Sequence, residues 1–348
     1  MPVDLSPHEA AAFRRGEAPA PMLDLIGLMA CHAVRAARSL GLFDVLAAGP
    51  LTSDELAAAV GADPGGLGEL LGLLRATGYV ERHDGRYANT AATAAWLCSA
   101  SPVDYGRILG LWQTIVEEQW GGLADAVRSG TPPGGFYTWL ATRPDLSSAF
   151  HDLQRGMAEW LAEEVVSLVP LPEGGKSLLD LGGGHGLYAE AFCRAHPGLS
   201  GTVIDSAVTE RSAERLTGRP AGRLTWRAAD VLTADLPGEQ DVTVLFNVLH
   251  GFAAPDAVAL VARAAGTLRA GGLLVVMESL PERGGNPADL AFAAGFSLNL
   301  WHTQAGGLYP AETIRGWLEA AGCAAGPWQE LTRSPGHALV TATAPPRG

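Results

Sequence analysis

From Leu23 onward, apolar residues recur at three- and four-residue steps: Leu23, Ile26, Ala30, Val34 and Ala37 share one face of a helix. Gly27 interrupts this pattern without ending it, and Gly41 stops it, as glycine often does just past a helix end. Thr52-Ser-Asp-Glu55 has the spacing in which a hydroxyl and a carboxylate satisfy free amides reciprocally, so a second helix starts there. A third is expected over about Asp63–Thr77, with Leu67, Leu70, Leu71 and Leu74 on one side. Tyr79–Tyr87 reads as a hairpin turning at Asp84-Gly85. Three helices followed by a two-stranded wing make a winged-helix unit. Residues 1–22, with Pro2, Pro7, Pro19 and Pro21 among scattered charges, are expected to be frayed.

Residues 102–166 read as further helices broken at Gly130–Gly135, and Pro170–Gly175 as a linker. From Ser177 the character changes to apolar strands (Ser177–Leu181, Gly201–Ile204, Val242–Val248, Gly272–Met277) alternating with helices over 186–196, 207–216 and 256–268. Such alternation implies a mostly parallel sheet covered on both faces, with ligands at the carboxyl ends of the strands. The expected fold is α/β. A mainly α, winged-helix domain over residues 1–100 leads through a helical connector over 101–170 to a Rossmann-like domain over 171–348.

Composition narrows the function. With 348 residues, 47% apolar and 18% charged, the chain can bury substantial cores and is not a disordered polymer. Its 24 basic and 37 acidic residues give a net charge of −13, which disfavours nucleic acid as a partner. Charge between Leu51 and Tyr87 is mixed rather than basic, which argues against a DNA-reading winged helix. Cys31, Cys98, Cys193 and Cys323 lie far apart, signalling neither a zinc ribbon nor a disulfide framework. Met1–Arg15 lacks the pattern of a secretory signal, and stretches such as Ala291–Trp301 are too short and too polar to span a bilayer. A soluble, cytoplasmic protein with no membrane partner is the expectation.

Leu178-Leu-Asp-Leu-Gly-Gly-Gly-His-Gly186 takes a strand into Gly182, Gly184 and Gly186 and then into a helix. Glycines there allow a tight turn and close approach of a ligand to the main chain, although a plain tight connection uses them too. The order differs from the dinucleotide pattern GxGxxG, and Asp180 makes the turn acidic, which suits a cationic amine better than a pyrophosphate. Thr202-Val-Ile-Asp205 ends the second strand with a carboxylate about 20 residues later, where ribose hydroxyls can be held. Asp230, in Ala228-Ala-Asp-Val231, could accept from an adenine amino group. Each carboxylate alone is equally a helix cap or a solvated loop residue; the ordered trio is harder to dismiss.

On these residues the chain resembles the S-adenosylmethionine (SAM)-dependent small-molecule methyltransferases of the caffeate and polyketide O-methyltransferase type, over about residues 23–345. The resemblance implies SAM as cofactor and a homodimer formed through the winged-helix domain. It also implies that Asp180, Gly182 and Gly184 approach the methionine moiety, Asp205 the ribose, and Asp230 with Val231 the adenine. Asn247 joins this cofactor set, and Met157 matches a position that closes over the cofactor. His250, in Phe246-Asn-Val-Leu-His250, stands where the family has a general base for a phenol, and Glu278 where it has the carboxylate that orients that base.

Two departures suggest another chemistry. Gly251-Phe252 follows His250 where the family usually has Asp-Trp, and Tyr309 stands where the plant enzymes carry a glutamate. His302, in Phe296-Ser-Leu-Asn-Leu-Trp-His-Thr303, replaces an aliphatic residue of the substrate pocket. This is similar to the 2-oxo-acid C-methyltransferases of nonribosomal-peptide pathways, and phenylpyruvate C-methyltransferase is the example. It implies that His250 and His302 hold a divalent metal, iron or zinc, and that a chelated 2-oxo acid is methylated at C3. The alternatives are O-methylation of a natural-product hydroxyl with His250 as base, His302 then merely lining the pocket, or a cofactor-binding scaffold that no longer transfers methyl. Trp112, Trp120, Trp301 and Phe252 are further candidates for the pocket wall.

Overall fold

The computed structural model describes residues 3, 5–101, 104–206, 222–283 and 285–346. The chain divides into two compact units, Met1–Glu118 and Gln119–Gly348.

In the first unit, α1 (Pro7–Arg14) forms inside the segment expected to be frayed. Ser6 and Glu9 build a capping box around Pro7, whose lack of an N–H costs nothing at a helix start. The long α2 (Pro21–Ser39) follows, then a short α3 (Leu42–Ala47), α4 (Ser53–Val60) and α5 (Pro64–Ala76). The Thr52–Glu55 capping box and the Asp63 cap both form. Strands β1 (Val80–His83) and β2 (Arg86–Asn89) pair antiparallel across Asp84 and Gly85, whose φ angles of 48° and 81° are those of a tight hairpin turn. Val34, Ala37, Phe43, Leu56, Leu67, Leu71 and Leu74 make the core of this unit. Helices α6 (Ala91–Trp96) and α7 (Tyr105–Gln119) come next.

In the second unit, α8 (Leu123–Ser129), α9 (Phe136–Ala141) and the 25-residue α10 (Pro144–Leu168) precede the sheet, with a break at Gly130–Gly135. The sheet contains β3 (Ser177–Leu181), β4 (Ser200–Asp205), β5 (Leu224–Ala228), β6 (Gln240–Phe246), β7 (Leu268–Ser279), β8 (Ala324–Glu330) and β9 (His337–Thr343) in the order β5-β4-β3-β6-β7-β9-β8. The first five are parallel, and β9 and β8 return antiparallel. Four helices complete the described part of this unit: α11 (Leu187–Ala195), α12 (Ala254–Gly266), α13 (Pro287–Gln304) and α14 (Ala311–Ala320). The helix expected over 207–216 lies outside the described residues.

Side chains alternate across the sheet, so the two faces of β3 feed two cores. Leu178 packs with Leu161 and Val165 of α10 and Phe192 of α11, whereas Leu179 and Leu181 pack with Leu260 of α12 and Ile314 of α14. Coverage on both faces explains why β3, β6 and β7 read as nearly unbroken apolar runs. The one polar interruption in β3, Asp180, is fully buried. The second unit has the expected α/β architecture with a mostly parallel sheet, and the first is helical with a two-stranded wing. Among the described residues no helix is long and apolar enough to cross a membrane.

Candidate active site

Five parallel strands end on one edge, and the loops that leave them carry the polar groups. After β3 the chain turns through Gly182, Gly184 and Gly186, all at positive φ, and α11 starts at Leu187. A Cβ on Gly182 would lie 2.7 Å from the Val248 side chain, and one on Gly183 2.4 Å from the Asp180 carboxyl. Neither position accepts a side chain. The Gly184 N–H donates to Asp205 Oδ2 at 2.8 Å, the Ser206 N–H donates to Oδ1 at 2.5 Å, and Trp226 Nε1 donates to the Gly184 carbonyl at 3.0 Å. Asp205 therefore holds the glycine loop as well as ending β4. Asp230, after β5, accepts from the Leu232 N–H at 2.9 Å and the Thr233 hydroxyl at 3.0 Å, closing its own turn.

Asp180 differs from both. Its side chain is 0% exposed, and neither carboxyl oxygen has a hydrogen-bond partner among the described residues. Burial, with the nearby Asp205 charge, pushes its pKa up to about 7. His185, within the glycine turn, is buried as well. Its Nδ1 accepts the Leu187 N–H at 3.2 Å, and burial lowers its pKa to about 4.

After β6, Asn247 adopts φ 56° and its N–H donates to the Met277 carbonyl, which folds the following residues over the end of β7. There Glu278, 2% exposed, gathers three donors. Oε1 accepts the N–H groups of Val248 and Leu249 at 2.8 and 2.7 Å, and Oε2 accepts from His250 Nδ1 at 2.6 Å. A carboxylate partner fixes the proton on Nδ1 and leaves Nε2 as the basic nitrogen. The Gly307 N–H donates to the His250 carbonyl at 2.9 Å, and a Cβ on Gly306 would lie 2.0 Å from that oxygen, so a glycine there lets the chain clamp the histidine backbone. Phe296 meets the imidazole edge-on at 5.6 Å.

These groups border one cavity of about 710 Å³. Gly182, Gly184, Asp205, Asp230, Val231, Asn247 and His250 all line it. Phe136 and Tyr137 of α9, Phe150, His151 and Gln154 of α10, and Thr303 and Gln304 at the end of α13 complete much of the wall. No sequence signal marked these helical residues. Among the described lining residues there is no arginine or lysine.

Four expected site residues do not line the cavity: Asp180 and Glu278, both buried, and Met157 and His302. Met157 is 37% exposed and is not part of the cavity wall; the wall is made one to two turns earlier on α10, by Phe150, His151 and Gln154. His302 is 0% exposed and does not line the cavity, although Thr303 and Gln304 do. Its Nε2 donates to the Gln119 carbonyl at 2.9 Å, which commits that nitrogen's proton, and its Nδ1 is enclosed without a partner. The two imidazoles therefore do not present a pair of lone pairs to a common point in the cavity. Among the described residues no group of three or more His, Cys, Asp or Glu could hold a metal ion. This donor set does not fit the expected iron or zinc. Of the four further aromatics considered for the wall, Phe252 lines it, whereas Trp112, Trp120 and Trp301 do not.

A SAM-sized cofactor fares differently. A side-chain-free cradle and an unpartnered Asn247 Oδ1 lie along one cavity, and both accommodate a ligand with amino and hydroxyl donors.

A doubly wound α/β enzyme, with nucleoside-type acceptors at its strand ends and a carboxylate-held histidine beside them, is the class that fold and cavity define. The particular family follows from comparison. The O-methyltransferase domain matches residues 120–324, and the O-methyltransferase dimerisation domain matches residues 23–99. The chain belongs to the O-methyltransferase family of SAM-dependent methyltransferases. It is 30% identical to 3-hydroxy-5-methyl-1-naphthoate 3-O-methyltransferase of Streptomyces sahachiroi, over 85% of this chain and 87% of that protein. Among solved structures it resembles the mitomycin 7-O-methyltransferase MmcR (TM-score 0.80, 25% identity, 96% of this chain and 100% of that one). It also resembles human N-acetylserotonin methyltransferase in complex with SAM (TM-score 0.75, 25% identity, 98% of this chain and 100% of that one).

Proposed function

We propose that this protein methylates a hydroxyl group of a small natural-product molecule, using SAM as donor and His250 as general base. The observation that carries this reading is the 2.6 Å contact between His250 Nδ1 and the buried Glu278 carboxylate at the rim of the cavity. Bound SAM would supply a methyl group activated on a sulfonium. The chain's own contribution is to position and to move one proton. Nε2 of His250 takes the proton of the acceptor hydroxyl, which makes that oxygen nucleophilic. Glu278 keeps the ring in the tautomer that can do so and stabilises the imidazolium that forms. The glycine turn, Asp180, Asp205, Asp230, Val231 and Asn247 would hold the cofactor. Residues 23–99 would form the interface of a homodimer, as their match to a dimerisation domain supports.

Carbon methylation of a 2-oxo acid loses its support on two counts. His302 is tied to Gln119 outside the cavity, and among the described lining residues there is no arginine or lysine to meet a carboxylate acceptor. Two of the relatives are named as O-methyltransferases, of 3-hydroxy-5-methyl-1-naphthoate and of mitomycin, which favours a hydroxyl acceptor and a place in antibiotic biosynthesis. Incubation with SAM and separate panels of phenols and 2-oxo acids, with carbon NMR of the product, tests the reading. A new O-methyl signal with matching S-adenosylhomocysteine is the expected result. A new C-methyl on a keto acid, or turnover undiminished in His250→Ala, would overturn it.

A further inference from the structure

We propose that Gln304 is a specificity-determining residue, whose carboxamide hydrogen-bonds an uncharged hydroxyl or carbonyl group next to the hydroxyl that is methylated. This rests on the reading of the cavity as a site of hydroxyl methylation, and it names the class of acceptor the site would take.

Three features of the wall support this. Gln304 ends α13 and lines the same cavity as His250. A Cβ on Gly251, the residue after the base, would lie 3.2 Å from Gln304 Oε1. The amide therefore rests against the backbone beside the base, in room that a side chain at position 251 would contest. Its placement is also fixed by the chain. Ala305 takes φ 59° and ends the helix, and the Gly307 N–H then reaches the His250 carbonyl at 2.9 Å. Only three positions along the chain separate the amide from a bond to the backbone of the base, which limits how far the two can part. Finally, the Gln304 side chain makes no hydrogen bond to the described residues. Its neighbours are already engaged. Thr303 donates its hydroxyl to the Asn299 carbonyl at 2.8 Å, His250 is held by Glu278, and the Phe252 carbonyl accepts from the Tyr309 hydroxyl at 2.6 Å.

A primary amide offers both donors and an acceptor, so it can satisfy either a hydroxyl or a carbonyl. It carries no charge. Among the described lining residues there is no arginine or lysine, whereas Asp205 and Asp230 are present, so a carboxylate in this place would lack a cationic partner. Phe136, Phe150 and Phe252 supply apolar walls, which hold a ring but leave its orientation to a few polar contacts. An acceptor without the second polar group would strip water from the amide and leave it unpaired, and that cost is the source of the discrimination.

Steady-state rates with SAM compare 2,3-dihydroxynaphthalene, whose second hydroxyl adjoins the first, with 3-methyl-2-naphthol, in which a methyl group takes that place. The full-length parent should show kcat/KM at least about tenfold higher for the diol. In Gln304→Met, which keeps the length of the side chain and removes the amide, the preference should shrink to about twofold, as expected from the diol's pair of equivalent hydroxyls. Gln304→Glu keeps an oxygen that can accept from the neighbouring hydroxyl and should retain most of the preference. A merely structural residue would lower the rates of both probes together and leave their ratio unchanged. An unchanged ratio in folded Gln304→Met overturns the proposal while leaving hydroxyl methylation intact. So does a parent that treats the two probes alike, a comparison that needs no variant to fold. Methylation of neither probe nor of any other phenol, by protein that binds SAM, overturns the hydroxyl reading and the proposal with it.

Discussion

Replacing Glu278 by glutamine isolates the role of its carboxylate with little change of shape. In the native site Oε1 accepts two backbone N–H groups at 2.8 and 2.7 Å, and Oε2 accepts from His250 Nδ1 at 2.6 Å. Glutamine can keep its carbonyl on the two amides, which leaves its NH₂ facing Nδ1. Two donors cannot share that contact, so the ring must take its proton on Nε2 and present a lone pair at Nδ1. The basic nitrogen is then lost from the cavity side. The native pattern is retained in shape, so the fold should lose only about 1–2 kcal/mol, the difference between charged and neutral acceptors. Turnover should fall far more, by about 10²–10⁴-fold, the usual worth of a correctly held general base. Nitrogen NMR of histidine-labelled protein reads the tautomer directly and needs no acceptor. Steady-state rates with an accepted phenol read the consequence. A folded Glu278→Gln protein whose His250 keeps its proton on Nδ1, or whose kcat stays within about threefold of the parent, would refute the argument.

Three further outcomes follow from the same geometry. Because the folded-state pKa of Asp180 is raised to about 7 from an ordinary 3.8, the folded protein holds the extra proton between those values; the contribution of Asp180 to stability is greatest at acid pH and is lost as pH rises to 7. The whole window corresponds to roughly 4 kcal/mol, of which about 2.6 kcal/mol falls between about pH 5 and pH 8, so denaturant unfolding of the cofactor-free protein at those two pH values should show a decline that Asp180→Asn removes, and parallel pH slopes in the two proteins would count against it. Gly183→Ala brings a methyl group to 2.4 Å from the Asp180 carboxyl, and equilibrium dialysis should show SAM binding weakened at least about tenfold. His302→Leu leaves the Gln119 carbonyl unpaired and should cost about 1–3 kcal/mol in thermal unfolding, yet neither it nor a chelator should abolish turnover; loss of activity on metal removal would revive the two-histidine site.

Strongly patterned segments were legible before the structure. The Thr52–Glu55 box, the turn at Asp84-Gly85 and β3 over Ser177–Leu181 form as the residues suggest, because each is set by local chemistry or by burial on two faces. The edge strands β5 and β8 were missed because their residues are largely exposed or half-buried and carry no apolar run. Proline spacing over the first 22 residues suggested fraying, but Ser6 and Glu9 supply the cap that lets Pro7 open a helix. At the site, strand ends were readable because the fold rule fixes where they go. Residues on helices were not: whether His302, Thr303 or Gln304 turns into the cavity depends on the rotation of α13 about its axis. That rotation is set by contacts such as Trp120 Nε1 to Asn299 Oδ1 at 3.1 Å, which no local pattern encodes.

Two buried carboxyl groups on the strands either side of β6 differ in how they are satisfied. Glu278, on β7, is enclosed and receives three donors, all from the four-residue stretch Asn247–His250 that follows β6. The parallel register that sets Phe246 beside Met277 brings that stretch over the carboxylate, so sheet pairing itself assembles the base. Such a site is complete within the protein and can be preorganised before any ligand arrives. Asp180, on β3, is enclosed as deeply and receives none. An unpaired buried acid destabilises a fold in its charged form and favours the neutral one. The reacting end is thus satisfied within the chain, whereas Asp180 has no partner among the described residues. Substitutions at Glu278 should therefore appear first in the chemical step, and those at Asp180 in the pH dependence of stability.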